Sequence, residues 1–515
     1  MAHAANIPSR PHALVARTAP AGSPQTHAGF AFWTGQVLEE CDRVRLNFAP
    51  DPVHDLRVAL RRCCSMAAGC AALDPDPAWK EMKRAGKRLF RRLGELRDLH
   101  VMQDWIRSLT GPDDPGAVPL LQFFSGREPQ LQREALQAVE EFDRRQWERW
   151  ARSLSRRMNR LRPGSMLFRH LALERWAEAH RLHLLALRNR SPAGFHRLRI
   201  GLKRFRYIVE NFLPEQHAAW SRDLKHLQDL LGDVHDLDVL SSMPLPANTF
   251  PDSQASLRWQ ARIREERAQR IEGYRKKTLG RNSLWQVWRS GLPEREQVKS
   301  AALLRLRRWA AFLDPDFRHS IHVTRLALQL YDGLAKYQKP SGSARHDREI
   351  LQAAALLHDV GRSRTEKGHH KASYRLIRRL APPLGWRSQD LLLAGSVARY
   401  HRGALPRTGQ KPLRGLSAKE RQEISRLAAI LRLASALDAS RDGRIQKVEV
   451  QGQNELLLIA AQGYSSRDRL AEAVAAGRHL LETVYRVPVI IKPMQTVRVR
   501  PTARKLPAKA LRAKS

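Results

Sequence analysis

His54-Asp55-Leu56-Arg57-Val58-Ala59-Leu60-Arg61-Arg62 recurs downstream as His196-Arg197-Leu198-Arg199-Ile200-Gly201-Leu202-Lys203-Arg204. The common pattern is H-x-L-R-[VI]-x-L-[RK]-R, with five identical and two conservative positions. A second pair follows each copy: Gly94-Glu95-Leu96-Arg97-Asp98-Leu99-His100-Val101 and Gly232-Asp233-Val234-His235-Asp236-Leu237-Asp238-Val239. The offsets are 142 and 138 residues. Two agreeing pairs at nearly one offset define a duplication, so this part of the chain is two related halves. Arg97 and His100 stand where the second half has His235 and Asp238, so the halves are not equivalent there.

Around these motifs, from Phe32 to about Trp288, the pattern is helical, rich in Leu, Ala, Arg, Glu and Gln. Breaks are expected at Pro50–Pro52, Asp74–Pro77, Gly111–Gly116, Pro163–Gly164, Ser191–Gly194 and Pro244–Ser253. His54, Arg57 and Arg61 share one helix face, and His196, Arg199, Lys203 and Arg206 extend the same face in the second half. Leu56, Leu60, Leu198 and Leu202 fall on neighbouring positions that can pack inward. A third stripe is Lys80, Lys83, Lys87 and Arg91, flanked by Arg84 and Arg88; Lys225 and His226 begin its counterpart. One such stripe reads as a solvated face. Repeated on both halves with a His at its start, it reads as an anion site. Like charges one turn apart repel, and a bound polyanion removes that cost.

The whole composition agrees. The chain has 515 residues, with 91 Lys and Arg against 51 Asp and Glu, a net +40. Residues 1–300 carry +16 and the remainder +24, so both parts are basic. The expected partner is a polyanion. Four cysteines, Cys41, Cys63, Cys64 and Cys70, form no C-x-x-C pair and no disulfide framework, which fits a cytoplasmic protein. No apolar run approaches the roughly 18 residues of a transmembrane helix. Nucleic-acid motifs are missing, and the aromatic fraction is 7%. Charge alone predicts non-specific, salt-sensitive nucleic-acid binding.

The duplicated block, through VHDLRVALRR, LFRRLGELRDLHVM, FHRLRIGLKRFRY and LQDLLGDVHDLDVL, resembles the conserved histidine α-helical (CHAD) domain over roughly residues 28–290. The resemblance implies two four-helix halves related by pseudo-twofold symmetry, about 28–150 and 151–292. It also implies inorganic polyphosphate bound along a basic channel. Its implied ligands here are His54, Arg57, Arg61, Lys83, Lys87, His196, Arg199, Lys203 and Lys225. Association with polyphosphate granules follows as an expectation.

A second group of residues lies further on. His319 opens a helical run, His358-Asp359 follows the apolar stretch Ala353–Leu357, His369-His370 come ten residues later, then His401 and Asp438. Imidazole with carboxylate suits borderline divalent metals such as Mn, Zn, Fe or Mg. Each residue alone has a duller reading. His322 reads as surface or outer-sphere, only one of His369 and His370 can face a site, and Asp438 can cap a helix or pair with Arg441 or Arg444.

This region, through HSIHVTRLALQLYDGL, ILQAAALLHDVGR, GHHKASYRLI, ARYHRG and LAAILRLASALDASRDGRI, resembles the HD-domain phosphohydrolases. It is similar above all to the C-terminal helical part of the exopolyphosphatase/guanosine pentaphosphate phosphohydrolase family. The H…HD…D pattern maps to His319, His358, Asp359 and Asp438 as metal ligands, with His358 and Asp359 catalytic and His370 and His401 as candidates for a second metal or for gripping phosphate. Arg362, Arg364, Lys367 and Lys371 would neutralise substrate charge. The pair is followed by Val360-Gly361-Arg362-Ser363, not the x-x-Glu-Asp of (p)ppGpp hydrolases, which argues against that substrate. The Gly-rich phosphate loops of the family's actin-like domains are absent, so a non-catalytic HD module is the alternative.

The expected fold class is mainly all-α. A duplicated helical-bundle CHAD domain occupies 28–292, an HD-type helical domain 300–440, and a small α/β C-terminal subdomain 441–495. In the last, Lys447–Ala460 reads as a hairpin around a Gly-containing turn, 466–484 as a helix and Val487–Ile491 as a strand. Residues 1–27 are expected to be a disordered tail and 496–515 a basic one. The expected partners are polyphosphate and nucleotides, with a divalent metal and no membrane.

Overall fold

Pro50 and Pro192 each open a helix of 21 residues, Pro50–Cys70 and Pro192–Phe212, and each puts its histidine at the fifth position. Proline suits a first turn, where its missing N–H has no helical partner. Ser191 caps the second of these helices by accepting the Gly194 N–H at 3.1 Å. Leu56, Leu60, Leu198 and Leu202 are fully buried beneath the basic faces.

The computed structural model describes residues 29–110, 117–245, 249–250, 252–337, 344–453, 455–467 and 469–494. The tails expected at 1–27 and 496–515 therefore lie outside the described residues. So do the break at Gly111–Gly116 and part of Pro244–Ser253. The chain is mainly all-α and divides into two compact units. The first is built from residues through Ala71 and from Asp76–Gly291, the second from Ala72–Pro75 and Leu292 onward.

The first unit runs α1 Phe30–Leu46, α2 Pro50–Cys70, α3 Ala78–Leu109, α4 Ala117–Ser125, α5 Glu128–Glu140 and α6 Arg144–Met158. It continues with α7 Met166–Asn189, α8 Pro192–Phe212, α9 Pro214–Ser242, α10 Ser253–Thr278 and α11 Leu284–Ser290. The duplication is visible as the packed pairs α2–α3 and α8–α9. The equivalent helices α2 and α8 lie side by side and run the same way. Ser65 accepts from Asn211 at 2.9 Å and Arg62 pairs with Glu210 at 2.7 Å. The core is aromatic-rich: Phe168 stacks on Phe212 at 4.1 Å, and Trp285 meets Trp288 edge-on at 5.3 Å.

The second unit runs α12 Arg295–Leu313, α13 Phe317–Leu334, α14 Ala344–Leu357, α15 His369–Arg378, α16 Ser388–Arg399 and α17 Ala418–Leu437. Then follow β1 Val448–Gln453, β2 Leu456–Ala461, α18 Leu470–Tyr485 and β3 Val489–Pro493. β2 is central, antiparallel to β1 (Val448↔Ala461) and parallel to β3 (Leu457↔Val489). The hairpin differs from its expected turn: Gly452 pairs with Leu457 inside the ladder, and the chain reverses beyond it, with Glu455 in the left-handed region at φ 64°. One apolar core, including Leu330, Ala354, Val397, Leu431 and Ile459, runs from the helices into the sheet. No helix of the described residues is long and apolar enough to cross a membrane.

Candidate functional site

In the second unit every candidate ligand sits at a helix end, where the backbone turns away and frees the side chain. His319 lies in the first turn of α13, behind its cap Asp316. His358 and Asp359 follow the last residue of α14 and lead into a tight 3-10 turn, Val360–Ser363. His369 is the first residue of α15, His401 comes two residues after α16, and Asp438 ends α17.

Gly361 lets these pieces meet. A Cβ there would overlap the His369 carbonyl and the Ser373 backbone nitrogen. The Ser373 hydroxyl stitches the junction, accepting the Gly361 N–H at 2.8 Å and donating to the His358 carbonyl at 2.7 Å.

Three imidazoles are fixed in the same way. The Nδ1 of His358 meets the Ala355 carbonyl at 2.7 Å, His369 that of Glu366 at 2.9 Å, and His401 that of Ala398 at 2.8 Å. A carbonyl only accepts, so each Nδ1 carries a proton and each Nε2 points into the pocket; that of His369 hydrogen-bonds Asp359 Oδ1 and lies 3.4 Å from His401 Nε2. The three Nε2 atoms turn toward one oxygen, Asp359 Oδ1, at 3.6, 3.2 and 3.8 Å respectively. His319 Nδ1 donates to Asp438 Oδ2 at 2.7 Å, which leaves its Nε2 free. All six groups are nearly or fully buried.

The electrostatics follow. Burial raises the Asp359 carboxyl, but His358, His369, His401 and Arg441 outweigh it and hold it well below the usual carboxylate range. Burial, then neighbouring imidazoles, keeps His401 neutral, and burial lowers His358. The hydrogen bond to Asp359 raises His369. The Nε2 of His358 is buried with no hydrogen-bond partner.

Such an orphaned lone pair, among further lone pairs and a carboxylate, fits a divalent cation. Ligand atoms of His319, His358 and Asp359 lie within 4.8 Å of one another, and so do those of Asp359, His369 and His401. Asp359 belongs to both groups.

Some candidate residues stand elsewhere. His370 is outside both groups. Its Nδ1 has no partner, its ring abuts Gly403, and burial with Arg399 nearby lowers it to about 4. Its neighbour His369 takes the inward position, because Gly368 at φ 77° starts α15 there and turns His369 toward Glu366 and Asp359. Asp438 is also outside the two groups; its oxygens receive His319 Nδ1–H and the Gly443 N–H, the latter at 3.0 Å. His322 Nε2 is 4.0 Å from Asp438 and has no hydrogen bond. Arg441, read from sequence only as a partner for Asp438, instead binds Asp359 Oδ2 and Asp316 Oδ2, each at 2.7 Å. Its positive φ of 58° was not readable from the sequence. Arg362 approaches Asp359 at 3.6 Å and pairs with Glu366 at 3.0 Å, while Arg364, Lys367 and Lys371 are exposed.

In the first unit the two duplicated stripes come together. Burial lowers Lys203 of α8 to about 8, and Arg199, Arg61, Arg57 and Arg206 push it the same way. Burial lowers Arg57 to about 10; its guanidinium lies 4.7 Å over the Phe90 ring and against Gly94, where a Cβ would stand 3.0 Å away. Among the described residues no carboxylate lies within ion-pair distance of Arg57, Arg61, Arg199 or Lys203. Burial also lowers Lys83, with Lys87, Arg204 and Arg175 nearby. His196 meets His235, a residue of the repeated motif that is not among the implied ligands, at 3.3 Å between Nδ1 atoms. His54 is exposed beside Asp55, and Lys225 is paired along its own helix with Asp229 at 2.8 Å.

Both units thus carry phosphate-suited chemistry: a cluster of cations outnumbering its one nearby carboxylate, Asp98, which interacts with Arg57 and Arg199, and a histidine–carboxylate pocket. A family model of the CHAD domain matches residues 31–243, and one of the Ppx/GppA phosphatase, domain III, matches residues 298–473. The chain thus joins a region that matches the CHAD domain to one that matches the Ppx/GppA phosphatase, domain III. Both domains fit a polyphosphate-related function. A search of curated proteins found no match. The CHAD match stops at residue 243, while the compact unit that contains it runs to Gly291 and so includes α10 and α11.

Proposed function

We propose that the first unit binds inorganic polyphosphate on the α2/α8 cations and that the second is a metal-dependent phosphohydrolase acting on a phosphoanhydride or phosphate ester. The observation that carries the hydrolase reading is the convergence of three fixed imidazole Nε2 atoms on Asp359 Oδ1. His319, His358 and Asp359 would hold one divalent ion, and His369 and His401 offer Asp359 a second set of donors. A bound ion would supply Lewis-acid polarisation of a phosphoryl oxygen and acidify a nucleophilic water.

The chain's own residues do the rest. Asp438 fixes the tautomer and ring plane of His319. The carbonyls of Ala355, Glu366 and Ala398 do the same for the other histidines. Arg441 keeps the second oxygen of Asp359 occupied, so the first alone faces the imidazoles. Arg362 beside Asp359 and Arg402 near His369 supply positive charge for phosphate groups at the rim.

In the first unit Arg57, Arg61, Arg199 and Lys203 share a surface whose mutual repulsion Asp98, near Arg57 and Arg199, offsets only in part, and a polyanion would relieve the rest. Arg would grip phosphate oxygens in pairs and Lys as a point charge. Lys83, Lys87, His54 and His196 extend the cationic surface. A granule-associated role without turnover is the second reading, and Arg441 favours it, because a guanidinium already neutralises Asp359. Metal analysis separates the two. The hydrolase reading expects stoichiometric Mn, Fe or Zn in the purified protein, lost in Asp359→Ala. Wild-type protein that stays metal-free after incubation with these ions leaves the binding role alone.

A further inference from the structure

A cavity of about 500 Å³ lies between α3 and α6; it shares Lys87 with the proposed polyphosphate surface, and its other lining residues lie outside that surface. It is lined by Glu81, Arg84, Ala85, Lys87, Arg88, Arg91 and Trp150. That volume is in the range of small-molecule sites. Its chemistry is uneven. Arg84, Lys87, Arg88 and Arg91 are exposed, and among the described residues none has a carboxylate partner. Trp150 is the only aromatic lining residue and the only one from α6. Its half-buried indole is stacked by no described ring or guanidinium.

The helix that carries the indole is anchored close by. One turn earlier on α6, Trp147 is fully buried, donates Nε1–H to the Thr34 carbonyl at 3.1 Å, and lies against Gly86 of α3. A Cβ at Gly86 would stand 3.2 Å from the Trp147 ring, so the glycine permits this close approach. Trp147 therefore anchors α6 on α3 and presents Trp150 beside the cations.

Inorganic polyphosphate has no use for an indole. A ligand that uses both features carries an aromatic ring and several phosphates. We propose that this cavity binds a nucleoside polyphosphate. The base stacks on Trp150, the phosphates lie along Arg84, Lys87, Arg88 and Arg91, and Glu81 accepts a hydrogen bond from a sugar hydroxyl. Stacking gives the base a contribution largely independent of its identity. The carboxylate of Glu81 repels phosphate, which orients the chain of phosphates toward Arg88 and Arg91.

The test uses the full-length protein with chelator present, so that the histidine pocket takes no part. Affinities for ATP and for inorganic triphosphate are measured by calorimetry in wild type, Trp150→Ala and Trp150→Phe. The expected result is tighter binding of ATP than of triphosphate by wild type. Trp150→Ala should lose about tenfold in ATP affinity with little change for triphosphate, and Trp150→Phe should keep most of the difference. Equal affinities for the two ligands in wild type, or equal losses for both in Trp150→Ala, would overturn the assignment. A short oligo(dA) that binds more tightly than ATP and loses the same increment would reassign the cavity to single-stranded nucleic acid and overturn it too. Loss of polyphosphate binding in Arg57→Ala with the Trp150 increment intact separates this cavity from the α2/α8 surface.

Discussion

Asp438 accepts the Nδ1 proton of His319 across 2.7 Å, and its other oxygen accepts the Gly443 N–H at 3.0 Å. The carboxylate thus ties a histidine of the proposed metal pocket to the loop that carries Arg441. An outer carboxylate of this kind orients its histidine and raises its basicity, and its loss typically costs about 10–100-fold in metal affinity. Asp438→Asn is expected to weaken Mn²⁺ binding within that range while keeping the stoichiometry at saturation. Titration followed by metal-sensitive spectroscopy reads both. Complete loss of binding would make Asp438 a direct ligand.

Gly361→Ala should destroy the pocket rather than tune it. The added methyl meets backbone atoms of His369 and Ser373, not a flexible side-chain end. Overpacking of this kind costs about 1–3 kcal/mol or more. The thermal transition of the second unit should fall, and bound metal should fall with it, while polyphosphate binding by the first unit persists.

If the first unit binds polyphosphate as proposed, Lys203 should make that binding sensitive to pH. Burial, then its cationic neighbours, lowers it to about 8 in the folded protein, against an unperturbed value of about 10.4. Between those values the unfolded chain holds more protons, so stability rises with pH through that window. A bound polyanion favours the charged form, so binding near pH 8–9 should take up protons and weaken as pH rises. Calorimetry in buffers of different ionisation enthalpy counts the protons. Lys203→Met should abolish the uptake and lower affinity.

Glu423 gives the second unit the opposite slope. Burial first, then its hydrogen bond to Asp347, raises its carboxyl to about 8, with Arg426 pulling it down. Its folded value lies above the unfolded one, so its stabilising contribution is complete at acid pH and is lost as pH rises through about 8. Glu423→Gln should therefore gain stability over wild type progressively between about pH 5 and 8. Melting curves at several pH values check this; parallel curves would contradict it.

The helical architecture was legible because duplication and proline mark the same boundaries twice. Pro50 and Pro192 fix the starts of α2 and α8, and the histidines fall at matching positions. The meeting of Arg57 and Arg61 with Lys203 was not legible, because a motif gives a face and not the neighbour that covers it. In the pocket, residue types identified His319, His358, Asp359 and His401, all of which the structure brings together. The choice between His369 and His370 depended on where Gly368 starts a helix, a matter of one residue that periodicity does not resolve. Arg441 depended on a left-handed backbone. The hairpin turn was misread because Gly452 draws attention as a turn residue, yet it is accommodated in the ladder against the Tyr337 ring.

Hydrolysis is tested most directly by a gel time course of long-chain polyphosphate with Mn²⁺, comparing wild type with Asp359→Ala. Progressive chain shortening by wild type, with retarded but uncut chains for Asp359→Ala, is the predicted result. Retarded and uncut polyphosphate with both proteins would contradict the hydrolase assignment for this substrate, and polyphosphate neither retarded nor cut would contradict the binding surface on which the account rests.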